Sequence, residues 1–372
     1  MSHHRGPKTI TQDLIFHYDT GNEKSFAGEP TTNLLYSAGA YNLIDGATDI
    51  YGRCTKTDLG NGKYRFVNNG TGVSTVRVYV NQSNLINGAT YACSVYFEDL
   101  IGSISIDWCD TGITGINYST NPSGRLGGYG TRATYDGPYY FLDINFDSGG
   151  SVTLFNPQVE YKSHVTPFVN GTRSNTQALL DLSKRSVMTV ANASFDSNAM
   201  LNFDGTNDYI QLTSFTQPTN YITCEAWINP QDLVTPGTIR GGVISSTNSM
   251  YLGIFDSYDG TTFGSHWAVQ TSTGARPSNV NGSIPRNKWT HLVGTYNGSV
   301  SRTYINGVEV WNSPLTGTIP SATYYIGTYG GTIVDDTHNF NGYISVAKIY
   351  NRALTAEQVY QNYNASKSRF GL

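Results

Sequence analysis

Along most of this chain, apolar residues alternate with polar ones, the period of a strand with one buried face. Residues 221–228 show it plainly, with Ile222, Cys224, Ala226 and Ile228 on one side. Residues 289–296 read as another strand, which leads through Asn297-Gly298 to a strand at 301–305. Asn306-Gly307 then predicts a sharp hairpin into 308–311, because a type I′ turn needs positive φ at both central residues. Further strands are expected at 63–67, 73–80, 90–97, 103–108, 139–146 and 151–160. Helical spacing appears near the end, where Thr355 and Gln358 make a capping box and Leu354 and Val359 a hydrophobic staple, predicting a helix near 356–364.

Composition agrees with short strands and tight turns. The chain has 372 residues, enough for about two to three domains, with 40 Gly, 27 Tyr and 13% aromatic residues. Charged residues make up 13%, about half the usual share, so the polar surface must come from Asn, Ser, Thr and Gly. Such a surface suits sugars, and a net charge of −4 does not steer toward nucleic acid. Met1 is followed by a short polar, basic arm, Ser2 to Lys8, without the apolar run of a secretory signal, and no stretch has the length of a membrane span. Cys54, Cys93, Cys109 and Cys224 show no metal spacing and are expected as buried free thiols from a reducing cytoplasm, although Cys93 and Cys109 could approach across strands. Asn-x-Ser/Thr triplets such as Asn69-Gly70-Thr71 and Asn281-Gly282-Ser283 follow from composition rather than glycosylation.

A family resemblance sharpens this picture. Residues 201–210 (Leu-Asn-Phe-Asp-Gly-Thr-Asn-Asp-Tyr-Ile), 224–230 (Cys-Glu-Ala-Trp-Ile-Asn-Pro), 289–293, 304–307, 340–344 and 349–357 resemble, in order and spacing, the laminin-G-like branch of the concanavalin A-like lectin/glucanase superfamily. The resemblance implies a two-sheet jelly roll with core tryptophans. The opening at 13–26 and the ending at 363–371 resemble those of such domains in bacteriophage structural proteins, where the opening runs directly into a segment like Leu180-Asp181-Leu182-Ser183. Here about 145 residues intervene. The middle segment is similar to carbohydrate-binding-module and galactose-binding jelly rolls, on Thr32-Asn33-Leu34-Leu35, residues 87–96, Asn156-Pro157-Gln158-Val159-Glu160 and residues 162–173. The expected organisation is therefore an arm at 1–9, a discontinuous laminin-G-like jelly roll from 10–29 plus 175–372, and an inserted sandwich at 30–174. Insertion into an exposed loop is tolerated when the two ends lie close together.

Catalytic patterns are missing from the sequence. Glycoside hydrolysis needs two carboxylates about 5–10 Å apart, and the seven Glu include no glucanase-type Glu-x-Asp-x-x-Glu run. Glu225, between Cys224 and Ala226, reads as a polar residue on an outer strand face. No Gly-x-Ser-x-Gly elbow, His-x-x-x-His pair or phosphate loop occurs. The resemblance permits calcium near a sandwich edge, with Asp204, Asn207 and Asp208 in one turn and Asp335 and Asp336 in another as oxygen ligands. The same residues are ordinary turn formers, so no cofactor is required. For glycans, exposed aromatics beside amide and carboxylate groups are needed. The candidates are Tyr258, Asp259, Trp267 and Tyr329 in the laminin-G-like part, and Trp108, Tyr129, Tyr135 and Tyr139 in the middle.

The expectation is an all-β protein of two jelly-roll sandwiches with a short C-terminal helix and no enzymatic activity. The phage resemblance implies a virion surface component made in the host bacterial cytoplasm: a capsid decoration, appendage, or tail- or fibre-associated subunit. Its partners would be other virion proteins, further copies of itself, and host or environmental glycans, with no nucleic acid. A free carbohydrate-binding adhesin and a glycan hydrolase are the alternatives left open. The absence of long heptads disfavours a fibre shaft.

Overall fold

The computed structural model describes residues 8–22, 24–35, 44, 47–80, 85–108, 123–131, 140–170, 172–195, 200–214, 216–231, 241–247, 250–257, 261–330 and 338–372. The chain divides into two compact units, Met1–Glu29 with Asn175–Leu372, and Pro30–Ser174. The first unit opens with β1 (Leu14–Asp19). The second comprises β2 (Thr31–Thr32), β3 (Thr48–Asp49), β4 (Cys54–Gly60), β5 (Lys63–Asn68), β6 (Ser74–Val80), β7 (Thr90–Ile101), β8 (Ile104–Trp108), β9 (Gly124–Thr131), β10 (Tyr140–Phe146), β11 (Ser151–Glu160) and β12 (Thr172–Arg173). The chain returns to the first unit with α1 (Asn175–Ala178), β13 (Val187–Ala191), β14 (Ser194–Phe195), β15 (Leu201–Asp204), β16 (Tyr209–Thr213), β17 (Ile222–Pro230), β18 (Gly241–Ser246), β19 (Met250–Asp256), β20 (Thr262–Thr271), β21 (Gly274–Ala275), β22 (Ser278–Pro285), β23 (Thr290–Tyr296), β24 (Val300–Ile305), β25 (Val308–Pro314), β26 (Tyr324–Ile326) and β27 (Asn341–Tyr350). Helix α2 (Ala356–Ser366) and a 3₁₀ turn at Lys367–Phe370 end it.

In the first unit, among the described residues, one sheet runs β14-β15-β27-β17-β23-β24-β25 and the other β13-β16-β26-β18-β19-β20-β21, with β22 also on β20. β1 pairs with the second half of β27 while β15 pairs with its first half, so the two lie end to end along one side of that strand. The alternation read in β17 is the one the fold uses. Ile222, Cys224, Ala226 and Ile228 are buried between the sheets, against Leu252, Ile254 and Trp267 among others. Asn306 and Gly307 take φ of 50° and 81°, as a two-residue I′ hairpin requires. The Asn297-Gly298 turn is built differently: the Asn297 side chain accepts from the N–H groups of Ser299 and Val300 at 3.1 and 2.7 Å.

Helix α2 begins where its capping box predicts. Thr355 accepts from the Gln358 N–H, and Gln358 reciprocates at the Thr355 N–H, a cap of about 1 kcal/mol. Leu354 and Val359 are buried together with Val293 and Tyr304, so α2 packs on the outer face of the β17–β23–β24 sheet. Trp227 belongs to that layer and not to the core between the sheets. Its ring stacks on Phe370 (centroids 4.2 Å) and Tyr363 (5.8 Å), and its Nε1–H donates to Ser366 Oγ at 2.9 Å. Among the described tryptophan side chains, Trp267 is the one inside the main core.

In the second unit, sheets of order β3-β6-β10-β8 and β4-β5-β11-β7-β9 enclose Phe66, Val78, Tyr91, Val95, Phe97, Leu126, Ile144 and Leu154. Its first and last strands pair with each other, Thr32 with Thr172 and Thr31 with Arg173. The buried Glu160 carboxylate locks this closure, accepting from the Thr31 hydroxyl (2.8 Å), the Thr166 hydroxyl (2.6 Å) and the Gln158 amide (2.7 Å). Adjacent ends are the geometry a unit set within another needs. Cys224 is a buried free thiol and Cys54 a half-buried one, Cys93 is buried, and Cys109 lies outside the described residues. Among the described residues, no helix is long and apolar enough to cross a membrane.

Candidate functional site

Alternation in the second unit's five-stranded sheet sends Cys93, Val95 and Phe97 of β7 to the core and therefore Ser94, Tyr96 and Glu98 to the outer face. Register then assembles a row. Phe155 of β11 lies opposite Tyr96, and Tyr96 opposite Arg125 of β9. Lys63 extends the row on β5, one residue before Tyr64, which pairs with Leu154. Four strands make the row about 14 Å wide. The Tyr96 and Phe155 rings, both half-buried, lie 5.6 Å apart at 31°. Lys63 Nζ stands 4.5 Å from the centre of the Phe155 ring, and the Arg125 guanidinium carbon 5.0 Å from that of Tyr96.

Each end of the row is electrostatically tied. Lys63 Nζ donates to both Glu98 oxygens at 2.7 Å. Arg125 Nη2 donates to Ser94 Oγ at 2.7 Å, while its Nε is buried without an acceptor. Burial lowers the Arg125 pKa, and nearby Tyr96 and Glu160 pull it back. Arg65 Nη1 lies 3.7 Å from Asp99, so both carboxylates beside the row face cations. Tyr129, exposed at 61%, sits on the same face two residue pairs beyond Gly127, opposite Ala92. The result is a platform of aromatic surface bordered by fixed donors and acceptors. It can cover the C–H face of a flat polar ring while reading its hydroxyls.

Of the residues singled out from sequence, Tyr129 is therefore on this face. Trp267 is fully buried between the sheets of the first unit, which corrects its expected place on a ligand surface: β20 turns His266 and Ala268 outward and Trp267 inward. Tyr329 is half-buried on the outer face of that same sheet, 5.3 Å from the Tyr251 ring of β19 and 5.5 Å from His338. The Gly330 N–H, which donates to Ser245 Oγ at 2.9 Å, pins that segment down. Tyr258, Asp259, Tyr135, Tyr139, Asp335 and Asp336 lie outside the described residues, as does the Trp108 side chain.

Asp204, Asn207 and Asp208 form a self-capped turn. Asp204 Oδ1 accepts from the Thr206 N–H at 2.8 Å, Asp208 Oδ2 from the Asp204 N–H at 2.7 Å, and the Asn207 carbonyl from Asn192 at 3.0 Å. Burial first, and the Asp204 charge, push the Asp208 carboxyl up to about 6 against the pull of the Asp204 N–H. Among the described residues, no three His, Cys, Asp or Glu side chains gather in a metal-holding cluster.

Lys63, Tyr96, Glu98, Arg125 and Phe155 were not singled out from sequence. The alternation of β7 carried a signal for Tyr96 and Glu98, but strand pairing alone brings Phe155 and Arg125 alongside. Glu225, read as a polar residue on an outer face, is on that face but wholly buried under α2. Its Oε1 lies 2.7 Å from Lys348 Nζ and 3.3 Å from His291 Nε2, and its Oε2 accepts from Asn362 Nδ2 at 2.6 Å. Burial alone would raise its carboxyl, but Lys348 first and then His291 hold it well below the usual range.

Residues 204–360 match the family described as the concanavalin A-like lectin/glucanases superfamily, in its laminin-G form. The first unit thus carries a concanavalin A-like, laminin-G-like domain. No curated protein matches the chain. Among solved structures it is similar to the receptor binding domain of botulinum neurotoxin type G (18% identity, TM-score 0.40, 50% of this chain and 48% of that one). It is also similar to domain 4 of AbnA, a GH43 extracellular arabinanase from Geobacillus stearothermophilus, in complex with arabinotriose (18% identity, TM-score 0.39, 51% of this chain and 93% of that one). A third is the heptameric SAP-like pentraxin of Limulus polyphemus (20% identity, TM-score 0.35, 43% of this chain and 78% of that one). The chain spans about half the length of the neurotoxin domain it matches.

Proposed function

We propose that this protein is a glycan adhesin without catalytic activity, which holds saccharide on the outer face of the five-stranded sheet of the second unit. The observation that carries this reading is the Lys63–Phe155–Tyr96–Arg125 row, with Glu98 and Tyr129 beside it. Sugar rings stack on Tyr96 and Phe155, and Glu98, Lys63 and Arg125 bind their hydroxyls. Individual contacts of this kind are weak, and many copies on one particle turn them into firm attachment. The resemblance of residues 13–26 and 363–371 to phage structural proteins supports a site of display: a virion surface, as a capsid decoration, appendage, or tail- or fibre-associated subunit.

A glycan array followed by calorimetry tests the binding. Tyr96→Ala and Phe155→Ala each should weaken the best hit about tenfold or more, for an aromatic contact of about 1.5 kcal/mol with its buried area. Binding that both variants leave unchanged rules out this face, and release of reducing ends from the bound polysaccharide would favour a hydrolase. Antibody labelling of purified phage particles tests the place of display. Label on shell or appendage supports it, and unlabelled particles leave a free lectin.

A further inference from the structure

We infer that the laminin-G-like unit holds a second, separate saccharide site, for a single neutral sugar ring bearing adjacent hydroxyls, in a cavity between the β24–β25 hairpin and the segment leading into α2. The cavity has a volume of about 380 Å³ and is lined by Arg302, Tyr304, Glu309, Asn297 and residues 353–356, inside the range of about 300–1,000 Å³ common for small-ligand sites. Tyr304, at 2% exposure, and Leu354, at 3%, form its inner wall. Both belong to the packed layer under α2, so the floor of the cavity is rigid, while Asn297 and residues 353–355 line it from the connecting segments.

Its polar groups are arranged for reading a diol. Arg302 Nε stands 3.4 Å from Glu309 Oε2, and Asn312 Nδ2 donates to Glu309 Oε1 at 2.7 Å, which fixes the carboxylate. Both side chains remain about one-third exposed, at 30% and 32%. A guanidinium and a carboxylate side by side present donors next to acceptors. One hydroxyl donates to Glu309 while its neighbour accepts from Arg302. Because the two charges offset each other, the site favours an uncharged ring over an acidic one, whose carboxylate would face Glu309. Leu354 and the methyl groups of Ala353 and Ala356 offer the apolar surface that the C–H edge of a sugar covers.

This site does not depend on the face in the second unit, and the test separates them. The full chain carrying Tyr96→Ala and Phe155→Ala is titrated with methyl glycosides of glucose, galactose and mannose by saturation-transfer NMR, up to on the order of 10 mM, the range of millimolar affinities. At least one glycoside should bind. Glu309→Gln should weaken it about tenfold, the loss of a charge-assisted hydrogen bond. Ala356→Leu, which fills the cavity and leaves every polar group in place, should abolish binding with an unchanged melting temperature. Absence of binding by all three glycosides, or binding that survives both Glu309→Gln and Ala356→Leu, overturns the inference.

Discussion

Lys348→Met probes the buried ion pair that joins the first unit's sheet to its terminal segments. Lys348 and Glu225 side chains are 3% and 0% exposed and meet at 2.7 Å. At an effective dielectric of about 20, their gross attraction is about 6 kcal/mol, most of it offset by the desolvation of both ions. The pair is therefore a weak source of net stability, yet removing one member leaves Glu225 buried with only Asn362, Tyr350 and His291 around it. The expected loss is about 3–5 kcal/mol. Adding Glu225→Gln removes the stranded charge and keeps a side chain that can accept from Asn362. The double variant should recover all but about 1–2 kcal/mol. Urea unfolding followed by tryptophan fluorescence reads this, because Trp227, Trp267, Trp289 and Trp311 all belong to the first unit. The pH dependence gives a second reading. In the native protein the Glu225 pKa is depressed, so its contribution is present above the unfolded carboxylate value and is lost as pH falls toward the folded one. In Lys348→Met burial dominates and raises that pKa, so stability should instead increase as the solution is acidified from neutrality. A loss below about 1 kcal/mol, or a double variant as unstable as the single, would refute the reasoning.

Burial first, then Lys348, lower the His17 pKa to about 4 from 6.5. The unfolded chain binds a proton that the folded one refuses, so this contribution is complete above pH 6.5 and drains away as pH falls toward 4, by about 2 kcal/mol after discounting for partial exposure. His17→Gln should flatten that part of the pH–stability curve, and an unaltered curve would remove His17 as its cause. The raised Asp208 carboxyl has the opposite sign: its contribution is full at low pH and lost as pH rises through about 6. Asp208→Asn should therefore stabilise at pH 7 by about 1–2 kcal/mol in calorimetry, whereas destabilisation that deepens with added calcium would mark the turn as a cation site. Gly294→Ala places a methyl 2.2 Å from the Trp267 ring, and overpacking there should cost about 1–3 kcal/mol, read as a melting temperature below that of the unsubstituted protein.

The features legible in the sequence are those made by neighbours along the chain. Alternation in residues 221–228 marked which side chains of β17 enter the core, because successive residues of a strand point to opposite faces. Asn306-Gly307 announced its hairpin because both residues tolerate positive φ. Thr355 and Gln358 announced α2 because a cap is completed within one turn. Together with the resemblance, these were enough for an all-β protein of jelly-roll sandwiches.

What the chain could not show locally was the outward or inward sense of each aromatic residue, and what stood beside it. Trp267 and Tyr96 both sit in alternating strands of similar composition, yet one is interior and the other faces out. The difference lies in the parity of their strands against a core formed by residues far away in sequence. Phe155, Tyr96 and Arg125 become neighbours only through pairing across β11, β7 and β9. A shift of one residue in that register would scatter the row over both faces. Glu225 shows the same division. Alternation placed it on the outer face, but only tertiary packing laid α2 over that face and, by excluding water, turned a surface carboxylate into half of a buried ion pair.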